Sequence, residues 1–170
     1  MTNDPYATSV AAPSFTLRSA DFADGSALPD LAWGEHGATP ALEFGTLPDG
    51  TASVLVTIYD PDAPLPGGFW HWAAIVPASA RELPSGAGTE DALPEGSVVL
   101  ANSAGFPGFM GAGPPAGTGR THRYHIAATA LDVDALDLPA GASLALVHWV
   151  ASGHTLGRAV IVGTAASPEA

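Results

Sequence analysis

Residues 53–72 read SVLVTIYDPDAPLPGGFWHW, and the rest of the chain is organised around this stretch. Its first half alternates, with Val54, Val56 and Ile58 at every second position, which is the period-2 pattern of a β-strand. The same register places Asp60 on the face of those three residues. A carboxylate that ends an apolar face turns either into solvent or into a pocket, and the residues that follow favour the pocket.

Two prolines three positions apart, Pro61 and Pro64, end the pairing of this strand, because proline has no N–H to donate to a sheet. Residues 69–76 then form a second apolar run, which predicts a returning strand. The tight bend between the two strands is predicted to contain a cis peptide at Ala63–Pro64. This unit of strand, bend and strand collects three polar side chains at one end: Asp60, Asp62 and His71.

Strict alternation assigns faces in two of the predicted strands. In residues 69–76 it groups His71 with Ala73 and Ile75. In a long strand at residues 121–131 it separates two sets of side chains. One side carries His122, Tyr124 and Ile126, and the other carries Arg123, His125 and Ala127.

The composition bounds the class of protein. The 170 residues suit one domain with a buried core, since 46% are hydrophobic and only 13% are charged. No apolar run approaches the roughly 20 residues of a membrane helix, and the N-terminus does not have the pattern of a signal peptide. The net charge of −12 repels nucleic acid and anionic lipid. The absence of cysteine excludes disulfides and thiol chemistry and is consistent with the predicted cytoplasmic location.

The pattern along the chain predicts a single domain at residues 14–166, preceded by a disordered arm at residues 1–13. The one convincing helix spans residues 142–152, and Gly153 follows it where a left-handed glycine commonly ends a helix. Short strands are predicted at three further places, residues 15–18, 98–102 and 160–162.

Motif by motif, the residues indicate a polar pocket but no recognisable catalytic machinery. The glycine-rich loop at residues 105–119 has two prolines where a dinucleotide motif would begin its helix, and it leads into a strand. Ser103 lacks the Gly-x-Ser-x-Gly context of a serine hydrolase. Asp60, His71 and His122 could form a facial metal triad, but their spacing does not single out a metal site. We therefore predict no metal and no cofactor.

Four short motifs occur together and in one order: Asp60-Pro-Asp-Ala-Pro64, His71-Trp72, Gly111-x-Gly-Pro-Pro115 and His122-Arg-Tyr124. In this combination the chain resembles the phosphatidylethanolamine-binding protein family, which includes the Raf kinase inhibitor protein and bacterial homologues. The resemblance covers about residues 15–164, nearly the whole chain. It fits the bacterial branch better than the eukaryotic one.

The resemblance implies a mostly β fold: an antiparallel β-sandwich with a large central sheet, a smaller second sheet and one or two peripheral helices. It also implies a small surface cavity that takes phosphate, acetate, phosphorylethanolamine and similar anions. Phe109 stands where many relatives have tyrosine, which would remove a hydroxyl from the cavity rim. The residues after Val162 offer no counterpart of the eukaryotic C-terminal helix. By position in the motifs, the ligand-binding residues are Asp60, Asp62, His71, His122, Tyr124, Gly111 and Pro114, with Pro115 beside them.

An anion next to two carboxylates needs a source of positive charge or of hydrogen-bond donors. The candidates are His71, His122, Tyr124 and free backbone N–H groups of the glycine-rich loop. A nearby carboxylate can hold an imidazolium charged above its usual pKa of about 6.5, and we favour this over a protonated acid or a zwitterionic ligand. A structural interpretation is that Asp60 and Asp62 cap the bend.

These considerations predict non-catalytic binding of a small anionic or phospho-headgroup ligand, with regulation of a partner protein as a further role. Two alternatives stay open. One is an inhibitor of a kinase or protease that acts by protein–protein contact. The other is a hydrolase in which His71 or His122 is the general base and Asp60 orients it. No nucleic acid and no integral membrane association are expected.

Overall fold

The computed structural model of the chain describes residues 4–170, with the side chain of Glu90 excepted. Within these residues the chain forms eight strands, one α-helix and two 3-10 turns. The strands are β1 (Leu17–Arg18), β2 (Leu42–Phe44), β3 (Ser53–Asp60), β4 (Phe69–Pro77), β5 (Glu82–Leu83), β6 (Val98–Val99), β7 (Thr121–Leu131) and β8 (Thr155–Ala166). The helix is α1 (Leu144–Ser152), and the 3-10 turns are Asp30–Ala32 and Glu90–Ala92.

The strands form two antiparallel sheets, as the family resemblance implied. The large sheet has the order β6-β4-β3-β7-β8, and the small sheet has the order β1-β2-β5. The predicted strand β3 is central in the large sheet, where Val56 pairs with Ala74 on one side and Ala128 on the other. β6 is shorter than the strand predicted at residues 98–102. The prediction of a mostly β sandwich is confirmed.

The main core lies between the two sheets. The alternating residues of β3 contribute to it, and Val54 and Val56 are completely buried there in one cluster with Leu42 and Phe44 of the small sheet. Full burial of an aliphatic side chain of this size contributes about 1.5–3 kcal/mol. The other face of β3 presents Leu55 to a second cluster, which α1 covers. Both faces of the central strand are therefore buried.

The bend after β3 differs from its prediction. The peptide before Pro64 is trans, and no peptide bond among residues 4–170 is cis, so the prediction of a cis bond at Ala63–Pro64 is wrong. The chain turns by other means. The Asp60 carboxylate accepts hydrogen bonds from the N–H groups of Asp62 and Ala63, at 2.8 and 3.0 Å. Gly67 then takes a positive φ of 85°, which a glycine adopts without strain.

A β-bulge in β4 changes the face on which His71 lies. Ile58 pairs with Trp72 whereas Tyr59 pairs with Trp70, which leaves His71 as an extra residue on β4. A bulge of this kind re-aims a side chain. The predicted neighbours of His71 pack beneath α1 instead; they are Ala73 and Ile75. The prediction that all three share a face is therefore wrong.

The helix α1 begins at Leu144 and is capped by Ser143, whose hydroxyl accepts a hydrogen bond from the Leu146 N–H at 3.3 Å. Gly153 has a φ of −75°, so its prediction as a left-handed residue is wrong. Its N–H bonds to the Val150 carbonyl at 3.1 Å, because the last turn tightens into a 3-10 geometry before β8 begins. No helix among residues 4–170 is long and apolar enough to cross a bilayer.

Residues 4–13, part of the predicted arm, run along the large sheet, and residues 1–3 of that arm lie outside the described residues. The backbone N–H of Arg158 donates to the Pro13 carbonyl at 2.9 Å. The Tyr6 hydroxyl lies 3.2 Å from Thr57 Oγ1.

Candidate functional site

A cavity of about 260 Å³ opens where β3 ends, β4 begins and β7 begins. Its lining combines four polar side chains with mainly apolar walls: Asp60, Ala63, Pro64, Leu65, Phe69, His71, Met110, Gly111, Gly113, Pro115, His122 and Tyr124. Five of the seven predicted site residues are among them. The two that do not line the cavity are Asp62 and Pro114.

The floor of the cavity holds a buried pair of Asp60 and His122, which are 62 residues apart in sequence. Their side chains are almost fully buried, and Asp60 Oδ2 lies 2.8 Å from His122 Nδ1. The other carboxylate oxygen caps the bend, which is the structural role that the sequence suggested, and Asp60 also lines the cavity. Because Nδ1 is engaged, only Nε2 of His122 can act on a ligand.

His71 is held in the same way by a different acceptor. Its Nδ1 lies 2.6 Å from the Met110 carbonyl oxygen, and its ring packs edge-on against Tyr124 with centroids 5.1 Å apart. Burial lowers the pKa of His71 below its ordinary value, although the Met110 carbonyl and the Asp60 charge oppose this shift. The Asp60 carboxylate acts on the pKa of His71 in the expected upward direction, but its hydrogen bond goes to His122, and burial of His71 outweighs it.

Tyr124 presents its ring and hydroxyl group to the cavity from β7. Its side chain is buried, and burial together with the Asp60 charge raises the pKa of the phenol well above its ordinary value. The hydroxyl therefore keeps its proton at neutral pH, so it is able to donate a hydrogen bond.

Asp62 points away from the cavity and forms a two-pronged ion pair with Arg123. Arg123 Nε lies 2.8 Å from Oδ2 and its Nη2 lies 2.8 Å from Oδ1, while its backbone N–H donates to Oδ2 at 2.9 Å. These bonds lower the pKa of Asp62, with the Arg123 side chain as the largest cause. Sequence reasoning missed Arg123. The signal that could have found it is a positively charged side chain at position 123, which alternation places on the face of β7 opposite to His122 and Tyr124.

Gly111, in the loop that forms one wall of the cavity, lies close to the backbone of residues 32–34. A Cβ on Gly111 would collide with the carbonyl oxygens of Gly34 and Ala32. Phe109 does not line the cavity and packs against the main core. The predicted loss of a rim hydroxyl at that position is therefore not a feature of this cavity.

The arrangement suits a small ligand with a polar head. Two histidine side chains and one tyrosine line the cavity together, and apolar side chains such as Phe69 and Met110 form the walls. Among residues 4–170, no group of three or more His, Asp or Glu side chains is arranged to hold a metal ion. The facial triad of Asp60, His71 and His122 that the sequence allowed does not occur in this geometry.

Comparison with known proteins agrees with this fold. The family model for phosphatidylethanolamine-binding protein matches residues 18–166. The chain is 39% identical over 153 residues to the UPF0098 protein YbhB of Escherichia coli K12. This alignment covers 85% of this chain and 96% of that protein. The chain is 38% identical over 130 residues to a UPF0098 protein of Aquifex aeolicus VF5, covering 74% of this chain and 72% of the other.

A solved structure shows the same architecture. The crystal structure of E. coli YbcL, described as a new member of the mammalian PEBP family, matches with a TM-score of 0.81 at 33% identity. The match covers 92% of this chain and 99% of that one. With a family model that spans nearly the whole domain and relatives well above 30% identity, the chain belongs to the phosphatidylethanolamine-binding protein family.

Proposed function

We propose that the chain binds a small anion or phospho-headgroup in the cavity and does so without chemical turnover. One observation carries the proposal. Two buried imidazoles line the cavity, and each has its Nδ1 engaged by the protein, His122 by Asp60 and His71 by Met110. Their Nε2 atoms are the ring atoms left for a ligand, and a protonated imidazole is a charge-assisted donor to an anion.

The net charge of −12 opposes the binding of an anion, but the charges around the cavity oppose it less. Asp62 is paired with Arg123 outside the cavity, and one oxygen of Asp60 is engaged by His122 while the other accepts two backbone N–H bonds. The volume of about 260 Å³ lies below the roughly 300–1,000 Å³ of sites for drug-sized ligands, so the polar head of a lipid or a free anion fits better than a large metabolite.

Calorimetric titration with inorganic phosphate and with phosphorylethanolamine tests this proposal. His122→Gln removes one charge-assisted hydrogen bond, and at about 1.5–3 kcal/mol this corresponds to a loss of about 10- to 150-fold in affinity. His154→Gln is the matched control, because His154 forms an equally short pair with Asp132 at 2.8 Å on the surface. Equal phosphate affinity in the wild type and in His122→Gln would overturn the proposal.

A hydrolase is the second candidate, and the Asp60–His122 pair is the observation that favours it. A carboxylate that orients an imidazole is the arrangement of a general base. The cavity lining contains no serine, threonine or cysteine, so water would have to be the nucleophile. Turnover of p-nitrophenyl phosphate or p-nitrophenyl acetate that disappears in His122→Gln would favour this candidate. The binding proposal expects none.

Two finer parts of the proposal rest on other grounds. Regulation of a partner protein, including inhibition of a kinase or protease, is supported by family membership alone. A partner captured by the wild type and lost with His122→Gln would link that role to the cavity. A cytoplasmic location stays a prediction from composition.

A further inference from the structure

The N-terminal residues that the structure describes lie over the face of the large sheet that points away from the small sheet, and none of them lines the ligand cavity. We call residues 4–13 the N-terminal strap. Most of its side chains are exposed, and Tyr6 is its anchor. The Tyr6 hydroxyl lies 3.2 Å from Thr57 Oγ1, and its ring lies 6.5 Å from the His125 ring and 6.3 Å from the His148 ring, measured between centroids. Burial raises the pKa of Tyr6 to about 12.

Beneath the anchor lie imidazole nitrogens that have no hydrogen-bond partner. His125 is 5% exposed, and within the described residues both of its ring nitrogens are buried and unpartnered. The Nε2 of His148 is in the same condition, and its ring stacks on Trp70 with centroids 4.6 Å apart. Buried polar atoms without partners are uncommon in folded proteins and call for an explanation.

Both rings are held neutral by this environment. Burial is the largest cause for each. It lowers the pKa of His148 to about 4, with Arg158 adding to the shift. It also lowers the pKa of His125, where Arg123 adds and Asp4 opposes. Other elements place further charged or titratable groups around the two rings: Tyr6 on the strap, Asp24 in the adjoining loop, and Asp60 and Asp62 at the bend.

Within residues 4–170, the hydrogen bonds that join the strap to the sheet are few. Among the described residues, Arg158 is a second point of attachment: its guanidinium lies 5.4 Å from the Tyr6 ring centroid and donates to the Val10 carbonyl at 3.3 Å. Its backbone N–H donates to the Pro13 carbonyl at 2.9 Å. At the start of the strap, the charge of Asp4 acts on Arg123. A segment with so few buried contacts opens at a much lower free energy than the domain unfolds.

We propose that the N-terminal strap is an acid-sensitive cover, which lies over His125 and His148 while both rings are neutral and lifts from the sheet when they take up protons. Protonation in the closed state would create ring N–H donors without acceptors, beside the cation Arg158. Lifting Tyr6 lets water satisfy them. If release returns His148 alone to an ordinary pKa of about 6.5, the open population grows about 20-fold between about pH 7 and about pH 5.

Fluorine NMR of the full chain labelled with 3-fluorotyrosine tests this proposal. The chain has three tyrosines, and Tyr6→Phe assigns the signal of Tyr6. On acidification we expect that signal to move to the position of an exposed tyrosine while the signals of Tyr59 and Tyr124 stay unchanged. If the Tyr6 signal moves only at the pH at which the Tyr59 and Tyr124 signals also shift to exposed positions, the proposal is overturned, since this would report global unfolding.

The variants separate titration from packing. His125→Leu combined with His148→Phe fills the space without a titratable group and is expected to lower the pH of strap release by at least about one unit. His36→Gln, at an exposed histidine, is the control and should release like the wild type. Release of the double variant at the wild-type pH would overturn the proposal.

A reciprocal measurement covers the case in which the double variant does not fold. Tyr6→Ala removes only the anchor, and histidine ring NMR then follows the titration of His125 and His148. Because linkage is reciprocal, the pKa of each should rise toward the ordinary value. Unchanged titration in Tyr6→Ala would overturn the proposal.

Discussion

Replacing Asp60 by Asn changes a carboxylate that serves three donors at once. Oδ1 accepts from the N–H groups of Asp62 and Ala63, and Oδ2 faces His122 Nδ1. Asn has one acceptor oxygen and one NH₂ donor, so either the bend or His122 meets a donor where it had an acceptor. His122 can answer by moving its proton to Nε2, which reduces the cost. A hydrogen bond to a charged group contributes about 1.5–3 kcal/mol, and at least one of the three is lost, so we expect the free energy of unfolding to fall by about 3 kcal/mol.

Urea unfolding followed by tryptophan fluorescence measures this loss at about pH 7. The matched variant is Asp62→Asn, two residues away in the same bend. The side chains of Asp62 and Arg123 are each 27% exposed, and a pair of that exposure contributes about 1 kcal/mol or less. If Asp60→Asn is no less stable than Asp62→Asn, the reasoning that Asp60 is the central acceptor of the bend and the site is refuted.

Three further predictions concern the loop, the outer face and the phenol. Gly111→Ala is expected to lower the free energy of unfolding in urea by about 3 kcal/mol, because its Cβ would collide with fixed backbone, whereas Gly113→Ala, with no atom within 4 Å, should unfold like the wild type. His148 is a base with a folded-state pKa of about 4, so its contribution to stability is complete above its unfolded pKa of about 6.5 and declines as the pH falls toward 4. Urea unfolding of His148→Phe should therefore show about 2 kcal/mol less acid destabilisation than the wild type between about pH 7 and about pH 5, and an equal loss would contradict this account. Tyr124→Phe keeps the ring and removes the hydroxyl, so calorimetry should show about a tenfold loss of phosphate affinity, and an unchanged affinity would mean that the hydroxyl does not contact the ligand.

The sequence predicted the sheet well where alternation runs long and uninterrupted. β3 and β7 have 8 and 11 residues, and their period-2 pattern correctly placed His122 and Tyr124 on the face of Ile126. The face of His71 could not be predicted in the same way. The bulge in β4 adds one residue, and alternation contains no mark of an added residue.

Contacts between distant segments could not be predicted from the sequence for a different reason. Arg123 meets Asp62 across 61 positions and Tyr6 meets Thr57 across 51, so each pairing depends on where folding places two whole elements. Nothing near Tyr6 in the sequence indicates that the strap lies over two histidines. The sequence also does not show that the Asp60 carboxylate caps the bend, where the peptide before Pro64 is trans.

The most direct test of the central claim is calorimetric titration of the wild type with sulfate between about pH 8 and about pH 5, a range in which the charge of sulfate does not change. An anion favours the imidazolium form, so the pKa of His71, which burial lowers in the free protein, must rise on binding. The account predicts that affinity increases as the pH falls through the bound-state pKa, with proton uptake seen as a dependence of the measured heat on the buffer. His71→Gln should flatten the profile. An affinity that is the same across the whole range, without proton uptake, would contradict the claim that the histidines hold the anion.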